Sequence, residues 1–230
     1  MQEKIAKKLL EKVKNDYDEI SSEFDQTRHH DWKEFKEFLT YIKDGDKLAD
    51  LGCGNGRFYN FIYDKKKVDY IGIDNSKKLL EKAVKKHPKT RFIAGDLTDI
   101  PLKNRSIDVA VAIASFHHLP SKKLREKSLH EIHRILKKDG TFIITVWNLF
   151  QPKYKKYIWK SRIKALITLG KYDMRDTLIP WSKSGVKRYY YAFKEKELQN
   201  LLEKNGFSVI ESTTGNNILF ICRKDGSTNG

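Results

Sequence analysis

Apolar residues near the N-terminus recur three or four positions apart, which is the period of one face of an α-helix. The residues with this spacing are Ile5, Leu9, Val13, Tyr17 and Ile20. A second stretch with helical spacing contains Trp32, Phe35, Phe38 and Leu39. We therefore expect residues 1–44 to form a helical cap that is not part of a sheet.

From Lys47 the pattern changes to short apolar runs that alternate with helical patterns. The runs are rich in Val, Ile and Ala without a clean alternation of apolar and polar residues, as in strands buried on both faces. They cover residues 47–52, 68–74, 90–96, 107–115 and 140–148. Helical patterns begin near Arg57 and cover residues 76–86 and 121–138. Strands alternating with helices indicate a parallel, doubly wound sheet.

The alternation stops after Asn148 for about forty residues and then resumes. A helix is predicted over 194–206, with Gly206 at its C-terminal end. Two strands, 207–213 and 217–224, follow with a short link and can pair as an antiparallel hairpin. The fold class predicted is α/β, a single domain with a doubly wound, seven-stranded, mostly parallel sheet. Its parts are a cap (1–44), a core (45–148), an insertion (149–193), a final helix and hairpin (194–224) and a disordered tail (225–230).

Positive charge is concentrated in the insertion. The chain has a formal net charge of +16, and residues 151–190 hold eleven Lys and Arg against only Asp173 and Asp176. The same segment contains aromatic side chains that can stack on bases: Tyr154, Tyr157, Trp159, Tyr172, Trp181, Tyr189 and Tyr190. Cations interleaved with flat rings favour an RNA partner. The alternative is a solvated basic surface with some aromatic residues packed inward.

The remaining composition excludes several protein classes. Cys53 and Cys222 are too few for a disulfide framework and lack the paired spacing of a zinc site, so we expect reduced thiols and no structural metal. His130 and His133 lie three apart on a predicted helix without a third ligand, and we interpret them as surface residues. No apolar stretch is long enough for a membrane span and no secretory leader is evident, which predicts a cytoplasmic protein without a membrane partner.

A glycine-rich turn, Gly52-Cys53-Gly54-Asn55-Gly56, separates the first predicted strand from a helix. Glycines permit positive φ and let a ligand approach the main chain. Asp74 ends the next strand, where a carboxylate can accept hydrogen bonds from both hydroxyls of a ribose. The pattern is GxGxG, not the GxGxxG of dinucleotide sites, and Asp50 before it would repel a pyrophosphate but could accept from an ammonium. The ligand predicted is a nucleoside joined to an amino acid.

Four segments in order, "DLGCGNG", "IGIDNS", "GDLTDIPL" and "IDVAVAIASFHHL", resemble the class I S-adenosylmethionine-dependent methyltransferases. The resemblance implies S-adenosylmethionine as cofactor, with the turn beneath its methionine part, Asp74 on the ribose, and Asp96 and Leu97 beside the adenine. Ala114 to Phe116 would border the methyl group. The cofactor-binding residues predicted in this way are Tyr17, Asp50, Gly52, Gly54, Asn55, Gly56, Asp74, Asn75, Asp96, Leu97 and Ala114. The alternative is a domain of this fold that no longer binds the cofactor.

A narrower resemblance covers most of the chain. "YDEISSEFDQTRHHDW", "SFHHL", "RYYYAFKEKELQNLLEKNGF" and "NNILFICRK" are similar to the methyltransferases that esterify 5-carboxymethyluridine at the tRNA wobble position, although Tyr191 replaces a histidine of that family. The resemblance implies the tRNA anticodon stem-loop as a partner. It implies that the basic insertion holds this stem-loop, and we name as substrate-binding residues Trp181, Lys187, Arg188, Tyr189 and Tyr190. In archaea and eukaryotes some members work with a small zinc-ribbon activator, while a monomer is expected otherwise.

Esterification needs little acid–base help, because a carboxylate with an ordinary pKa of about 4 is already ionised at neutral pH. The narrower resemblance implies that Arg28 and one of the two histidines face the active site, so the catalytic residues predicted are Arg28, His117 and His118. Arg28 could hold the acceptor carboxylate in bidentate fashion, or be a surface residue that closes the cap. The two histidines follow a buried strand, where only one of two neighbours is expected to point inward, and His117 is preferred. Cys53 is not expected to act as a nucleophile, since transfer from a sulfonium needs no covalent enzyme intermediate.

Two other functions remain open from the sequence. A methyltransferase of a small molecule, such as a quinone precursor or a carboxylic acid, would keep the glycine turn and Asp74. It would have no use for the charge of the insertion. A noncatalytic RNA-binding module with the same fold would keep the charge and lose cofactor binding.

Overall fold

The structure is a computed structural model that describes residues 1–28, 30–169, 171–181 and 184–226. Its helices within these ranges are α1 (Glu3–Glu19), α2 (Ser21–Thr27), α3 (Phe35–Phe38), α4 (Arg57–Ile62), α5 (Lys77–Lys86), α6 (Lys122–Ile135), α7 (Lys155–Ile167) and α8 (Glu195–Lys204). Its strands are β1 (Lys47–Leu51), β2 (Asp69–Asp74), β3 (Arg91–Ala94), β4 (Ile107–Ile113), β5 (Leu136–Trp147), β6 (Asp176–Pro180), β7 (Lys187–Tyr191), β8 (Phe207–Thr214) and β9 (Asn217–Lys224).

A seven-stranded sheet has the order β3-β2-β1-β4-β5-β9-β8. The first five strands of the chain pair in parallel, and β9 joins β5 antiparallel and forms a hairpin with β8. This confirms the predicted fold class. The order reverses between β1 and β4, so the carboxyl ends of these strands border the crevice where sheets of this kind bind ligands.

Both faces of the sheet are covered, which explains why its strands lack alternation. On one face α1, α6 and α8 contribute Val13, Leu129, Ile132, Leu198 and Leu202 to a core over β1, β2, β4 and β5. On the other face lie four phenylalanines of α3 and α4, all at most 3% exposed: Phe35, Phe38, Phe58 and Phe61. Full burial of one such side chain contributes about 1.5–3 kcal/mol. The predicted cap therefore packs on the sheet and closes its ligand-binding edge.

Helix α6 is shorter than predicted. The sequence pattern extended it to residue 138, but the helix ends at Ile135 and β5 begins at Leu136. Leu136 pairs with Ile107, and the register shifts before Val109 pairs with Thr141. Lys137 reaches Asp108 across this irregularity at 2.7 Å. Lys137 and Lys138, which fit a helix by local propensity, thus lie between two residues of β5 that pair with β4, Leu136 and Thr141.

The basic insertion is more regular than the sequence indicated. It contains α7 and an antiparallel pair, β6 with β7, that is separate from the main sheet. Ile158, Ile179 and Tyr190 pack with Leu149 in a small core beneath α7. Periodicity missed this helix because its exposed face mixes lysines with large apolar residues, so the contrast between its faces is weak.

The C-terminal elements agree with their prediction. Gly206 follows α8 with φ of +82°, and β8 and β9 form the expected hairpin. The N–H of Asp225 donates to the Gly206 carbonyl at 2.9 Å, so the start of the predicted tail is hydrogen-bonded. The rest of that tail, residues 227–230, lies outside the described residues. In the described ranges no helix is both long and apolar enough to span a membrane.

Candidate active site

A cleft opens at the carboxyl ends of β1, β2 and β4, beneath α1 and α2. Its lining includes all but one of the residues predicted to bind the cofactor: Tyr17, Asp50, Gly52, Gly54, Asn55, Asp74, Asn75, Asp96, Leu97 and Ala114. Gly56 is the exception. It precedes α4 with φ of +78°, and a Cβ there would face Phe92 and Ala83. Gly56 therefore shapes the turn without lining the cleft.

Gly52 cannot be replaced by a larger residue without movement of the main chain. Its φ is +80°, and a Cβ would lie 2.3 Å from the Cβ of Ser115. The Gly52 N–H donates to the Ile73 carbonyl at 2.7 Å, and the Ser115 hydroxyl donates to the Leu51 carbonyl at 2.6 Å. The turn is thus clamped between β2 and the end of β4, which leaves its main chain open to the cleft.

Asp74 bridges the glycine turn and the start of α5. One carboxylate oxygen accepts from the Gly54 N–H and the other from the Ser76 N–H, both at 2.8 Å. Burial raises the pKa of Asp74 to about 6 although these bonds favour the charged form. Each oxygen keeps a further lone pair for a ligand hydroxyl.

Asp50 lies deeper in the same cleft. It is 1% exposed and accepts a hydrogen bond of 2.6 Å from the Tyr70 hydroxyl. Asp50 pairs with Gly72 of β2, where a Cβ would lie 2.6 Å from the ring of Phe92. Burial raises the pKa of Asp50 to about 7. A cationic ligand group beside Asp50 would stabilise its ionised form.

The rest of the cleft fits the adenosine end of the predicted ligand. Leu97 is 9% exposed and provides an apolar wall, next to Asp96. One oxygen of Asp96 accepts from both the N–H and the hydroxyl of Thr98, at 2.8 and 2.7 Å. Open main chain at Gly52, two carboxylates and an apolar wall match an amino acid joined to a nucleoside.

Both histidines face the cleft, which corrects the expectation that only one would. His117 and His118 are 1% and 8% exposed and both line the cavity. They lie in a 3-10 turn, Phe116–His118, after β4 has ended. The alternation of side chains that holds in a strand does not apply in such a turn.

His118 is fully committed to hydrogen bonds within the protein. Its Nδ1 lies 2.6 Å from the Tyr189 carbonyl, which can only accept, so Nδ1 carries the proton. Nε2 then accepts from the Tyr17 hydroxyl at 2.8 Å. Burial lowers the pKa of His118 to about 3, and the ring is neutral. His118 therefore joins the cap to β7.

His117 keeps one nitrogen for a ligand. Its Nδ1 accepts from the Trp147 N–H at 3.1 Å, which leaves the proton of the neutral ring on Nε2. Nε2 is buried without a hydrogen-bond partner among the described residues. Burial lowers the pKa of His117 well below its usual value, so the ring stays neutral. An uncommitted N–H donor thus borders the cleft.

Arg188, which the resemblance implied to be a substrate-binding residue, lies inside the cleft. It is 4% exposed, and its guanidinium carbon lies 4.5 Å from the ring centre of Trp181 and 5.1 Å from that of Tyr190. One terminal nitrogen donates to the Tyr17 hydroxyl at 3.4 Å. Within the described ranges Arg188 forms no ion pair, and its Nε has no partner.

Of three other predicted substrate-binding residues, Tyr189 and Trp181 are buried and Lys187 is exposed. Tyr189 is 1% exposed, and its hydroxyl donates to Asp176 at 2.7 Å, so it cannot stack on a base. Trp181 is 7% exposed, and its indole N–H donates to Glu23 at 2.6 Å, so it holds the cap and is no stacking platform. Both correct the predicted contact with RNA, and the reason is packing of β6 and β7 on the cap. Lys187 is exposed at the start of β7, on the face opposite to Arg188.

Tyr190 does line the cleft. It is fully buried, and its hydroxyl has no partner among the described residues. Arg28 is half-buried at the cleft, 5.2 Å from the ring centre of Phe24 and 5.3 Å from that of Trp181. Burial lowers the pKa of Arg28. Arg28 thus lies at the end of α2 and also borders the cleft, and its contact with an acceptor carboxylate stays a prediction.

Two lining residues, Arg57 and Trp147, were not singled out from the sequence. Arg57 lies 4.5 Å from the ring centre of Trp32, and burial lowers its pKa to about 10. The sequence could have identified Arg57 as a candidate, because it directly follows the glycine turn at the start of α4. Trp147 ends β5 beside the turn of His117, which only the pairing of β4 with β5 reveals.

The cysteines and the remaining histidines take no part in the cleft's polar chemistry. Burial raises the pKa of Cys53 well above its usual value, which keeps it a thiol. His133 packs edge-on against Phe207, and His130 is exposed. In the part of the chain that the structure describes, no three His, Cys, Asp or Glu side chains come together as a metal site.

The chain is similar to known methyltransferases. The methyltransferase domain family model matches residues 49–144. A putative methyltransferase of Encephalitozoon cuniculi is 31% identical, over 89% of this chain and 90% of that protein. The tRNA (carboxymethyluridine(34)-5-O)-methyltransferase of Xenopus tropicalis is 34% identical, over 82% of this chain but only 36% of that longer protein. The chain thus spans about a third of that relative.

Two solved structures share the fold. A SAM-dependent methyltransferase of Methanosarcina mazei matches with a TM-score of 0.71 and 23% identity, covering 82% of this chain and 97% of that chain. A putative methyltransferase of Haloferax volcanii, solved in complex with the Trm112 methyltransferase activator, matches with a TM-score of 0.67 and 18% identity, over 95% of this chain and all of that one.

Proposed function

Because the chain belongs to the class I S-adenosylmethionine-dependent methyltransferases, we propose that it methylates the carboxylate of 5-carboxymethyluridine at the wobble position of tRNA. Among its relatives, the Xenopus protein is named for this reaction. The acceptor is thus an anionic group on a base, presented by a polyanion. The cleft should then contain buried donors for a carboxylate beside the cofactor residues.

The observation that carries the proposal is a set of uncommitted donors in the cleft. Arg188 is a buried cation without an ion-pair partner among the described residues, and the Tyr190 hydroxyl and His117 Nε2 also lack partners there. A buried polar group without a partner costs about 1–3 kcal/mol. A ligand with several acceptor atoms would remove that cost. A carboxylate on a uracil ring offers both an anion and carbonyl oxygens.

We assign the acceptor carboxylate to Arg188 and a uracil oxygen to His117. A guanidinium can bind both oxygens of a carboxylate, which fixes its orientation. Arg28, nearer the mouth of the cleft, would approach the same acceptor from the cap. Neutral His117 can donate but has no spare acceptor nitrogen, which suits an oxygen. Arg28, one of the two sequence-based candidates for contact with the acceptor, would thus assist Arg188.

The cofactor, when bound, supplies a methyl group on a sulfonium. Asp74 would hold the ribose hydroxyls, Asp50 and the main chain at Gly52 the amino-acid part, and Leu97 the adenine. Transfer of that methyl group would form an O–C bond to the acceptor carboxylate as the S–C bond breaks, giving a methyl ester and S-adenosylhomocysteine. No proton moves. The task of Arg188 and His117 is orientation, which alone can contribute about 7–11 kcal/mol to a bimolecular step.

The direct test is incubation with radiolabelled S-adenosylmethionine and two matched tRNA preparations, one with the carboxymethyl group on the wobble uridine and one without it. Nucleoside analysis should find label only in the tRNA that has the carboxymethyl group. Mild alkali should release that label, because it hydrolyses the methyl ester. Label on the unmodified tRNA would contradict the carboxylate assignment. Transfer to a free carboxylic acid but to neither tRNA would favour a small-molecule methyltransferase.

A small zinc-ribbon activator is a further proposed partner, since the Haloferax structure contains a methyltransferase activator. The edge strand β3 supports it, because Phe92 and Ile93 are only half-buried there. An uncovered sheet edge is open to pairing with another chain. Co-expression with such an activator should raise the yield and melting temperature of the protein. Equal melting temperatures with and without it would count against the partner.

A further inference from the structure

A second concavity lies between α7 and the β6–β7 pair. Four lysines line it and define what we call the lysine groove: Lys156, Lys160, Lys164 and Lys187. Three of them are spaced four residues apart on α7, which puts them on one face of that helix. Lys156, Lys160 and Lys187 are exposed, and Lys164 is half-buried.

Positive charge in the groove is not neutralised by the protein. Within the described ranges none of the four lysines has a carboxylate at ion-pair distance. The acidic side chain in the groove wall, Asp176, is 6% exposed and turned inward. Its two oxygens accept from the Tyr189 hydroxyl at 2.7 Å and from the Asp173 N–H at 2.6 Å. The groove therefore presents cations alone to solvent.

Strand β7 connects the groove to the active-site cleft. Lys187 and Arg188 are consecutive in β7, so their side chains leave opposite faces of the strand. Lys187 reaches the groove, whereas Arg188 is buried in the cleft. One strand thus carries both the proposed carboxylate ligand and a groove lysine, about 3.4 Å apart along the chain.

We propose that the lysine groove binds consecutive phosphates of the RNA strand next to the methylated nucleotide. From Lys156 to Lys164 the helix rises about 12 Å at 1.5 Å per residue. At about 3.4 Å per nucleotide of a stacked strand, that length covers about three to four nucleotide steps, so each of the three α7 lysines can contact a phosphate. A flat anionic membrane would meet the exposed rim of α7 but could not enter the groove. The inference depends on the proposed function for the position of the acceptor nucleotide.

The test compares two triple variants that lose the same charge. Lys156→Gln/Lys160→Gln/Lys164→Gln removes the α7 lysines of the groove. Lys85→Gln/Lys127→Gln/Lys196→Gln removes three exposed helical lysines on α5, α6 and α8, none of them in an ion pair among the described residues. The dissociation constant for unmodified tRNA transcript is measured over a series of salt concentrations. Thermal melting checks that both variants fold.

The groove variant should bind tRNA at least about tenfold more weakly near physiological salt. The slope of log affinity against log salt concentration should decrease in magnitude by about 2, because each of three single-strand phosphate contacts contributes about 0.7. The control should match wild type. Equal slopes for the two variants would overturn the proposal, as would loss of binding to anionic phosphatidylserine vesicles with unchanged tRNA binding. If the groove variant binds tRNA weakly but the wild-type protein transfers no methyl group to tRNA, the lysine groove still binds RNA and the proposed acceptor is wrong.

Discussion

The hydroxyl of Tyr17 donates to Nε2 of His118 at 2.8 Å, across 101 positions of the chain. The N-terminal helix is thereby hydrogen-bonded to the turn that follows β4. Arg188 approaches the same hydroxyl at 3.4 Å. The cap, the histidine turn and β7 therefore meet at one phenol, and the position of the cleft's donors depends on it.

Tyr17→Phe should destabilise the protein without emptying its core. The ring and its contacts with Phe24 remain, but the buried Nε2 of His118 loses its donor, at a cost of about 1–3 kcal/mol. Thermal and urea unfolding measure the loss. Tyr63→Phe is the control, since Tyr63 is 58% exposed. If both variants melt together, the bond between cap and turn contributes nothing.

His117→Asn and His117→Gln separate the two nitrogens of this ring. The asparagine oxygen can still accept from the Trp147 N–H but nothing replaces the Nε2 donor, whereas the glutamine amide can reach farther into the cleft. We expect His117→Asn to lower kcat/KM for the tRNA acceptor by about 10–100-fold, the equivalent of one lost hydrogen bond to a bound ligand. His117→Gln should retain more activity. The reverse order would show that the Nδ1 side of the ring matters more.

Arg188→Lys should impair methyl transfer although charge is retained. A lysine ammonium is a point charge and cannot bind both carboxylate oxygens as a guanidinium does. The expected fall in kcat/KM is about 10–100-fold, from the loss of about 1.5–3 kcal/mol in hydrogen bonding to a charged group. Cofactor affinity, measured by calorimetry, should stay near the wild-type value. Arg162→Lys, an exposed change on α7, should leave both unaltered.

Gly52→Ala and Gly45→Ala share a positive φ but differ in space. Both glycines have φ above +79°, which costs a residue with a Cβ about 1–2 kcal/mol. Nothing lies within 4 Å of a Cβ at Gly45, whereas at Gly52 it would meet Ser115. Gly45→Ala should therefore lower stability only modestly and bind the cofactor normally. Gly52→Ala should bind the cofactor more weakly and lose more stability than Gly45→Ala. If calorimetry finds wild-type cofactor affinity for Gly52→Ala, the inference that the turn is clamped is wrong.

Cofactor affinity should increase with pH through the range of two buried carboxyl groups. Burial raises the pKa of Asp74 to about 6 and that of Asp50 to about 7. The cofactor's hydroxyls and ammonium would bind the ionised forms, so binding releases protons and weakens as pH falls through 7 and then 6. The loss below about pH 6 should reach about tenfold per pH unit for each group that must ionise. Calorimetry from about pH 5 to about pH 8 checks this.

Asp74→Asn provides the control for that pH profile. It removes the contribution near pH 6 and lowers affinity throughout, because an amide accepts at only one of its two polar atoms. The residual dependence should then be centred near the pKa of Asp50, about 7. Affinity that is flat over the whole range in wild type would mean that neither carboxylate ionises on binding.

Much of the fold could be predicted from the sequence, because local patterns carry it. Strands rich in Val and Ile alternate with helical runs up to β5, and a parallel sheet follows from that order. The turn at Gly52 and the carboxylate at Asp74 are close in sequence to the strands that position them. The final hairpin needed only two strands and a short link.

Other features depended on contacts between distant segments. Helix α6 ends at Ile135 because Leu136, the next residue, pairs with β4. Helix α7 was not predicted because its exposed face carries apolar side chains. Tyr189 and Trp181 were expected to meet RNA, but the cap and β6 bury them. Local spacing contains no information on which distant element will cover a side chain.

The sequence by itself determined the class of fold and the glycine turn at Gly52–Gly56, since both are encoded in the periodicity and residue types of continuous segments. Only the tertiary structure decided which hydrogen-bond donors line the cleft. Arg188 and His117 lie about seventy residues apart in sequence, and they meet in the cleft because β7 packs on the turn after β4. The desolvation that makes these donors available to a ligand arises from that packing, and no local pattern specifies it.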